Sequence, residues 1–242
     1  MLVKLNDVTP ESLTEGVSRR TLLSVKSIKG RLIVLHHTLT GGELLFKGRA
    51  REFQHYIISG CCLYRGRYLH GDTAVFVPTT SRFGEVHEHH IQHAGEGELR
   101  ILTAVYELSQ NNFRWAKPRV RNLYETATSI SGMAANQLFT EEEHAVMGAR
   151  RMHSIDLQTH VPGVTLPTHL NPEEFGYILR GEGIAISGAN RYEVGPGALI
   201  YTEEGTSHSI VNVGSKPLQY IAYEFTEQDE SLSEMKARDA GH

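Results

Sequence analysis

Two halves of this 242-residue chain carry the same order of glycines and short apolar runs, and that repetition limits the folds open to it. Gly42 and Gly163 stand 121 residues apart, as do Gly60 and Gly181. Tyr56-Ile57-Ile58-Ser59-Gly60 therefore lies over Tyr177-Ile178-Leu179-Arg180-Gly181. Further on, Gly71-Asp72-Thr73-Ala74-Val75-Phe76 lies over Gly197-Ala198-Leu199-Ile200-Tyr201-Thr202. His89, Gly95 and Glu98-Leu99 lie over His208, Gly214 and Pro217-Leu218 at an offset of 119. The offset changes between strands, where loops tolerate insertions. Runs such as Arg31 to Leu35, His55 to Ile58, Thr73 to Val77 and Leu99 to Tyr106 are rich in β-branched and aromatic residues. Gly, Asn, Asp and Pro punctuate them, as expected of short strands joined by turns. Repeats of about 80 residues of strand and turn predict an all-β chain of two tandem barrels, since solenoid repeats are shorter.

The first barrel is expected over 20–108 and the second over 150–226. The stretch 109–149 reads as a partly helical connector. Within it Thr140 to Met147 has helical character, with Thr140 as N-cap and Glu143 completing a capping box. A short helix is also expected near the start, where proline follows a cap in Thr9-Pro10-Glu11. Residues 227–242 form a polar tail, frayed or helical on the surface.

Net charge is −4 with histidines neutral, and no Lys/Arg run marks a nucleic-acid or membrane patch. No stretch of about 18 apolar residues is present, and the start lacks the charged and apolar regions of a signal peptide. A cytoplasmic location is the expectation. Cys61 and Cys62 are neighbours on a strand and point to opposite faces, so they read as two small buried side chains and not as a disulfide. The unusual residue is histidine, with fourteen copies.

The second repeat runs Gly163-Val164-Thr165-Leu166-Pro167-Thr168-His169-Leu170-Asn171-Pro172-Glu173-Glu174, continuing to Gly181. It later runs Gly197 to Asn212 through Glu203, Gly205 and His208. Here the chain resembles the cupin superfamily. Cupins carry a first motif of Gly, five residues, His-x-His, three or four residues, Glu, six residues and Gly. Their second motif is Gly, five residues, Pro-x-Gly, two residues, His, three residues and Asn. His169, Glu174 and Gly181 fit the latter part of the first motif. Gly197, Gly205, His208 and Asn212 fit the second at every spacing, with Glu203 in place of proline. Pro167 stands where the first histidine is usual; another register uses His169 as that histidine and Asn171 as the second. Both keep His169, Glu174 and His208.

The resemblance implies double-stranded β-helix (jelly-roll) barrels, with His169, Glu174 and His208 as ligands of one divalent metal. Two imidazoles and a carboxylate suit Mn, Fe, Zn or Ni and leave positions open for water or substrate. The fourth protein ligand is Asn171, water or none. In the amino-terminal repeat only His89 survives opposite His208. Phe46 and Gly48 lie over Pro167 and His169, and Phe53 lies over Glu174. That barrel reads as structural, or as an inter-barrel or dimer interface. His87, His89, His90 and His93 cluster in an inserted loop of the first repeat; on a strand His87 and His89 share one face, with His93 able to join them, and the cluster offers either a second metal site or an exposed histidine-rich hairpin. Glu203 and Glu204, beside the metal loop, serve as general base or cap an exposed turn.

A degenerate first barrel before a metal-bearing second one is similar to the ureidoglycine aminohydrolase group. The ligands differ: that group uses a Glu-x-His pair, then His and Gln, and places a lysine where Tyr223-Glu224-Phe225 stands here. The expected function is a metal-dependent enzyme acting on a small polar metabolite, of hydrolase or isomerase type or a non-haem Fe(II) dioxygenase. The alternative is a non-catalytic ligand-binding or scaffold bicupin. A small-molecule partner and a homo-oligomer are expected, without nucleic acid or membrane.

Overall fold

A computed structural model describes residues 1–27, 30–48, 50–78, 87–108, 118–123, 129–130, 133–146, 152–170 and 173–225. The expected tail 227–242, the end of the connector helix at Met147 and Asn171 lie outside the described residues. The first half contains β1 (Leu2–Lys4), β2 (Glu11–Thr14), β3 (Val17–Ser27), β4 (Gly30–Leu39), β5 (Glu43–Gly48) and β6 (Arg51–Ser59). It continues with β7 (Cys61–Tyr64), β8 (Arg67–His70), β9 (Thr73–Val77), β10 (His87–His93) and β11 (Leu99–Leu108). The second half contains β12 (Arg119–Asn122), β13 (Ser129–Ile130), β14 (Met133–Phe139), α1 (Glu141–Val146), β15 (Met152–His160) and β16 (Glu173–Arg180). It ends with β17 (Gly183–Ser187), β18 (Asn190–Val194), β19 (Ala198–Thr202), β20 (His208–Asn212) and β21 (Leu218–Phe225).

These strands build two tandem jelly-roll barrels. In the first, the sheet β12-β9-β6-β11-β4-β3-β2 faces the sheet β5-β10-β7-β8. In the second, β1-β19-β16-β21-β15-β14-β13 faces β18-β17-β20. The barrels meet through their seven-stranded sheets, where Tyr56, Phe76, Leu102 and Tyr106 pack with Phe175, Tyr177, Ile221 and Tyr223 in one cluster. A sheet buried on both faces should be apolar on both. Strand β16 shows it: Phe175 and Tyr177 enter the inter-barrel cluster, whereas the alternate residue Ile178 joins the core of the second barrel. Period-two alternation therefore turns Glu174 into the lumen of that barrel.

The segment expected as a connector supplies strands to both barrels. Strand β12 pairs with β9 of the first barrel and β14 pairs with β15 of the second. The amino-terminal strand β1 pairs with β19 of the second barrel, Leu2 opposite Ile200. Each half thus begins with a strand that completes the other barrel. Within the connector the capping box forms: Thr140 N–H donates to Glu143 Oε2 at 3.0 Å and Glu143 N–H to Thr140 Oγ1 at 3.3 Å. The helix expected at Thr9-Pro10-Glu11 does not form. Residues 11–14 are strand β2, with Glu11 opposite Arg19 of β3, and a 3-10 turn at Leu5–Asp7 precedes it. An available sheet edge outweighs local helix capping there, because tertiary pairing overrides weak propensity.

Gly60 and Gly181, the best anchors of the repeat, do the same work in both halves. Their φ values are 86° and 80°. A Cβ on Gly60 would stand 2.6 Å from Glu98 O, and one on Gly181 would stand 2.5 Å from Pro217 O. Only glycine fits these turns without strain. Cys61 and Cys62 are free thiols on β7, and burial pushes Cys62 up to about 12. Among the described residues no helix is long and apolar enough to cross a membrane.

Candidate metal centre in the second barrel

His169, Glu174 and His208 come together at the mouth of the second barrel. One potential ligand atom from each lies within 4.8 Å of the other two, and this is the one such group among the described residues. Glu174 comes from β16, His208 from the start of β20, and His169 from the irregular segment before β16. His169 is fixed as the β-bridge partner of His208. Their backbones exchange hydrogen bonds of 3.1 and 3.0 Å.

Both imidazoles are oriented by the same local device. His169 Nδ1 lies 2.8 Å from Pro167 O, and His208 Nδ1 lies 2.9 Å from Thr206 O. A carbonyl only accepts, so each Nδ1 carries the proton and each neutral ring keeps its lone pair on Nε2. This is the tautomer a metal-ligating histidine needs, with a backbone carbonyl as its outer partner. His208 Nε2 lies 3.1 Å from Glu174 Oε2, and because an ionised carboxylate only accepts, this contact is made by the ring protonated on both nitrogens; a metal ion bound here would take the place of that Nε2 proton. Burial opposes charge on His208, but the Glu174 carboxylate outweighs it and, with Thr206 O and Glu224, holds the imidazole above its ordinary pKa.

Behind the triad is a cavity of ≈40 Å³. Ile178, Ala185, Ile200 and Ile210 form its walls, with Thr202 and Tyr220 as polar members. Thr202 and Glu224 are the cross-strand partners of Glu174 on either side. The sequence reading missed these lining residues. Counting by twos from Glu174 reaches Ile178, and from His208 reaches Ile210; Thr202 and Glu224 needed the sheet register.

The other candidates do not converge. Glu203 and Glu204 are exposed in the turn before β20, which fits the capping alternative. The histidine cluster lies on strand β10, not in an inserted loop, and alternation splits it. His89 points into the first barrel, whereas His90 lies outside, 3.3 Å from both Glu43 and Glu88. His93 Nε2 bonds Gly97 O at 2.7 Å, and the His87 side chain lies outside the described set.

The first barrel also differs from the sequence alignment. His89 has Phe46 as its cross-strand partner, so Phe46, not Gly48, takes the place of His169. Nor is His89 alone: His55 Nε2 lies 2.8 Å from His89 Nε2, and His55 Nδ1 lies 3.0 Å from Thr103 Oγ1. Phe46 stacks on His89 and Phe53 on His55. Where the second barrel has His169 and Glu174, the first has two phenyl rings and a packed core.

Residues 156–223 match the family of cupin domains. The whole chain has the two-barrel cupin fold. Over 97% of its length it superposes on oxalate decarboxylase of Bacillus subtilis, an enzyme with Mn(II) centres, at TM-score 0.71 and 15% identity, covering 80% of that chain. A deletion mutant of the same decarboxylase superposes at TM-score 0.70 with 16% identity, over 98% of this chain and 80% of that one. In sequence, 63 residues are 35% identical to the oxalate-binding protein of Thermotoga maritima, which is 25% of this chain and 52% of that protein. A further 38% identity over 56 residues links it to an uncharacterised protein of Methanocaldococcus jannaschii, covering 23% of this chain and 45% of that one. The chain thus spans about half the length of the curated relatives it matches.

Proposed function

We propose that the cupin site holds one divalent metal ion through His169 Nε2, the Glu174 carboxylate and His208 Nε2, and acts on a small metabolite bound beside it. The observation that carries this reading is the pair of Nδ1 contacts to Pro167 O and Thr206 O, which free both Nε2 atoms beside a carboxylate. Two nitrogens and one oxygen suit Mn, Fe, Ni or Zn. The Mn(II) of the decarboxylase makes manganese the first to test. When bound, the ion polarises a ligand oxygen and offers open coordination positions. The protein's own part is to hold the two tautomers, to exclude water with the isoleucine walls, and to supply the Tyr220 and Thr202 hydroxyls.

A second reading is a non-catalytic ligand-binding cupin, favoured by the similarity to an oxalate-binding protein. The differing ligand set separates both readings from ureide hydrolysis. The test is elemental analysis of protein purified without added metal, beside His169→Ala and His208→Ala. Near-stoichiometric metal in the wild type, lost in both variants, supports the site. No metal in the wild type after reconstitution overturns it. Oxygen uptake with Fe(II), against anaerobic turnover with Mn(II) or Zn(II), then separates the dioxygenase from the hydrolase or isomerase type. Ligand-dependent thermal stabilisation without turnover marks the binding protein.

A further inference from the structure

We infer that the second-barrel cavity takes a monoanionic 2-oxo or 2-hydroxy carboxylate with a short aliphatic chain, and disfavours a dianion such as oxalate. This rests on the metal-site reading. The argument begins with the walls. Ile178, Ala185, Ile200 and Ile210 face the triad, and an aliphatic group gains by burial against them, whereas a second carboxylate there loses its hydration. The cavity of ≈40 Å³ limits that group to a short one.

Charge points the same way. A dianion brings one more negative charge than a monoanion into a space that already holds the Glu174 carboxylate and has mostly apolar walls. Among the described residues no lysine or arginine lines the cavity. Among the described residues of the second barrel, Arg180, Arg191 and Lys216 are all exposed. Among the described residues the other carboxyl groups on this face are those of Asp156 and Glu224. Asp156 is buried beside Ala222 in the β15–β21 register, and Glu224 is the cross-strand partner of Glu174. Both stand on lumen-facing positions and repel a second carboxylate.

The test uses the full chain loaded with Co(II), whose visible bands report directly on the metal's coordination. The protein is titrated with 2-oxobutanoate and with oxalate, and retained cobalt is measured at each end point. The expected result is a band shift with 2-oxobutanoate at roughly tenfold lower concentration, or less, than any shift with oxalate. Ile200→Thr, which keeps a β-branched side chain, should weaken 2-oxobutanoate by about tenfold while the cobalt bands of the free protein stay unchanged. Equal or tighter response to oxalate overturns the inference, as does no response to 2-oxobutanoate. Absence of cobalt bands in the wild type overturns the metal-site reading itself, so the two failures are distinct.

Discussion

His169 and His208 exchange two backbone hydrogen bonds, and each turns its Nδ1 back onto the carbonyl two residues before it. The pairing makes two residues far apart in sequence into neighbours with matched tautomers. At the corresponding place in the first barrel His89 is paired with Phe46. The same backbone frame thus carries a polar, convergent site in one barrel and a packed aromatic one in the other.

Replacing any member of the triad should abolish stable metal binding without unfolding the protein. Glu174→Gln removes the only carboxylate of the set and should reduce metal affinity by at least about 100-fold, since the lost ligand matters more than an outer-shell partner. Competition with a chromogenic chelator measures it.

His89→Ala should leave the metal content of the protein unchanged, because that ring is walled by Phe46 and Phe53 in the other barrel. It should cost about 2–4 kcal/mol of stability, from the cavity and from the buried His55 nitrogen left unpaired. Urea unfolding beside elemental analysis separates the two effects.

Acid should destabilise the first barrel through its buried imidazoles. Burial, with Arg20 and Arg100 adding, lowers His36 to about 4, and burial with Arg19 and His36 lowers His37 to about 3. Burial, His89 and His37 hold His55 well below its ordinary value. Each group titrates near 6.5 when unfolded, so the unfolded chain binds protons that the folded one refuses. Stability is complete above that pH and falls as pH drops from about 6.5 toward the folded values, by about 2 kcal/mol per group at pH 5. Urea midpoints from pH 7.5 to 4.5 measure the slope, which His37→Gln should reduce.

Val3→Pro should destabilise the second barrel although residue 3 lies far from it in sequence. Val3 is opposite Leu199, and Tyr201 N–H to Met1 O and Leu5 N–H to Gly197 O fix the alternation that makes Val3 a hydrogen-bonded position. Losing that donor should cost about 1–3 kcal/mol. The loss is read as faster exchange of amides in β19.

The repeat, the strands and the three ligand candidates were legible in the sequence because each depends on local pattern: alternation, turn glycines at φ-restricted sites such as Gly60 and Gly181, and the spacing of His169, Glu174 and His208. The capping box at Thr140 and Glu143 was legible for the same reason. Tertiary structure decided what depends on partners distant in sequence. It gave residues 11–14 and 119–122 to sheet edges, where hydrogen bonding from another strand outweighs local propensity. It set Phe46 instead of Gly48 against His89, because cross-strand register is fixed by pairing and not by an alignment offset. It brought His55 to His89, lined the candidate site with Thr202 and Tyr220, and set Glu224 opposite Glu174. A sequence specifies which face a side chain takes along its own strand; only the closed barrel specifies which side chains from other strands share that space.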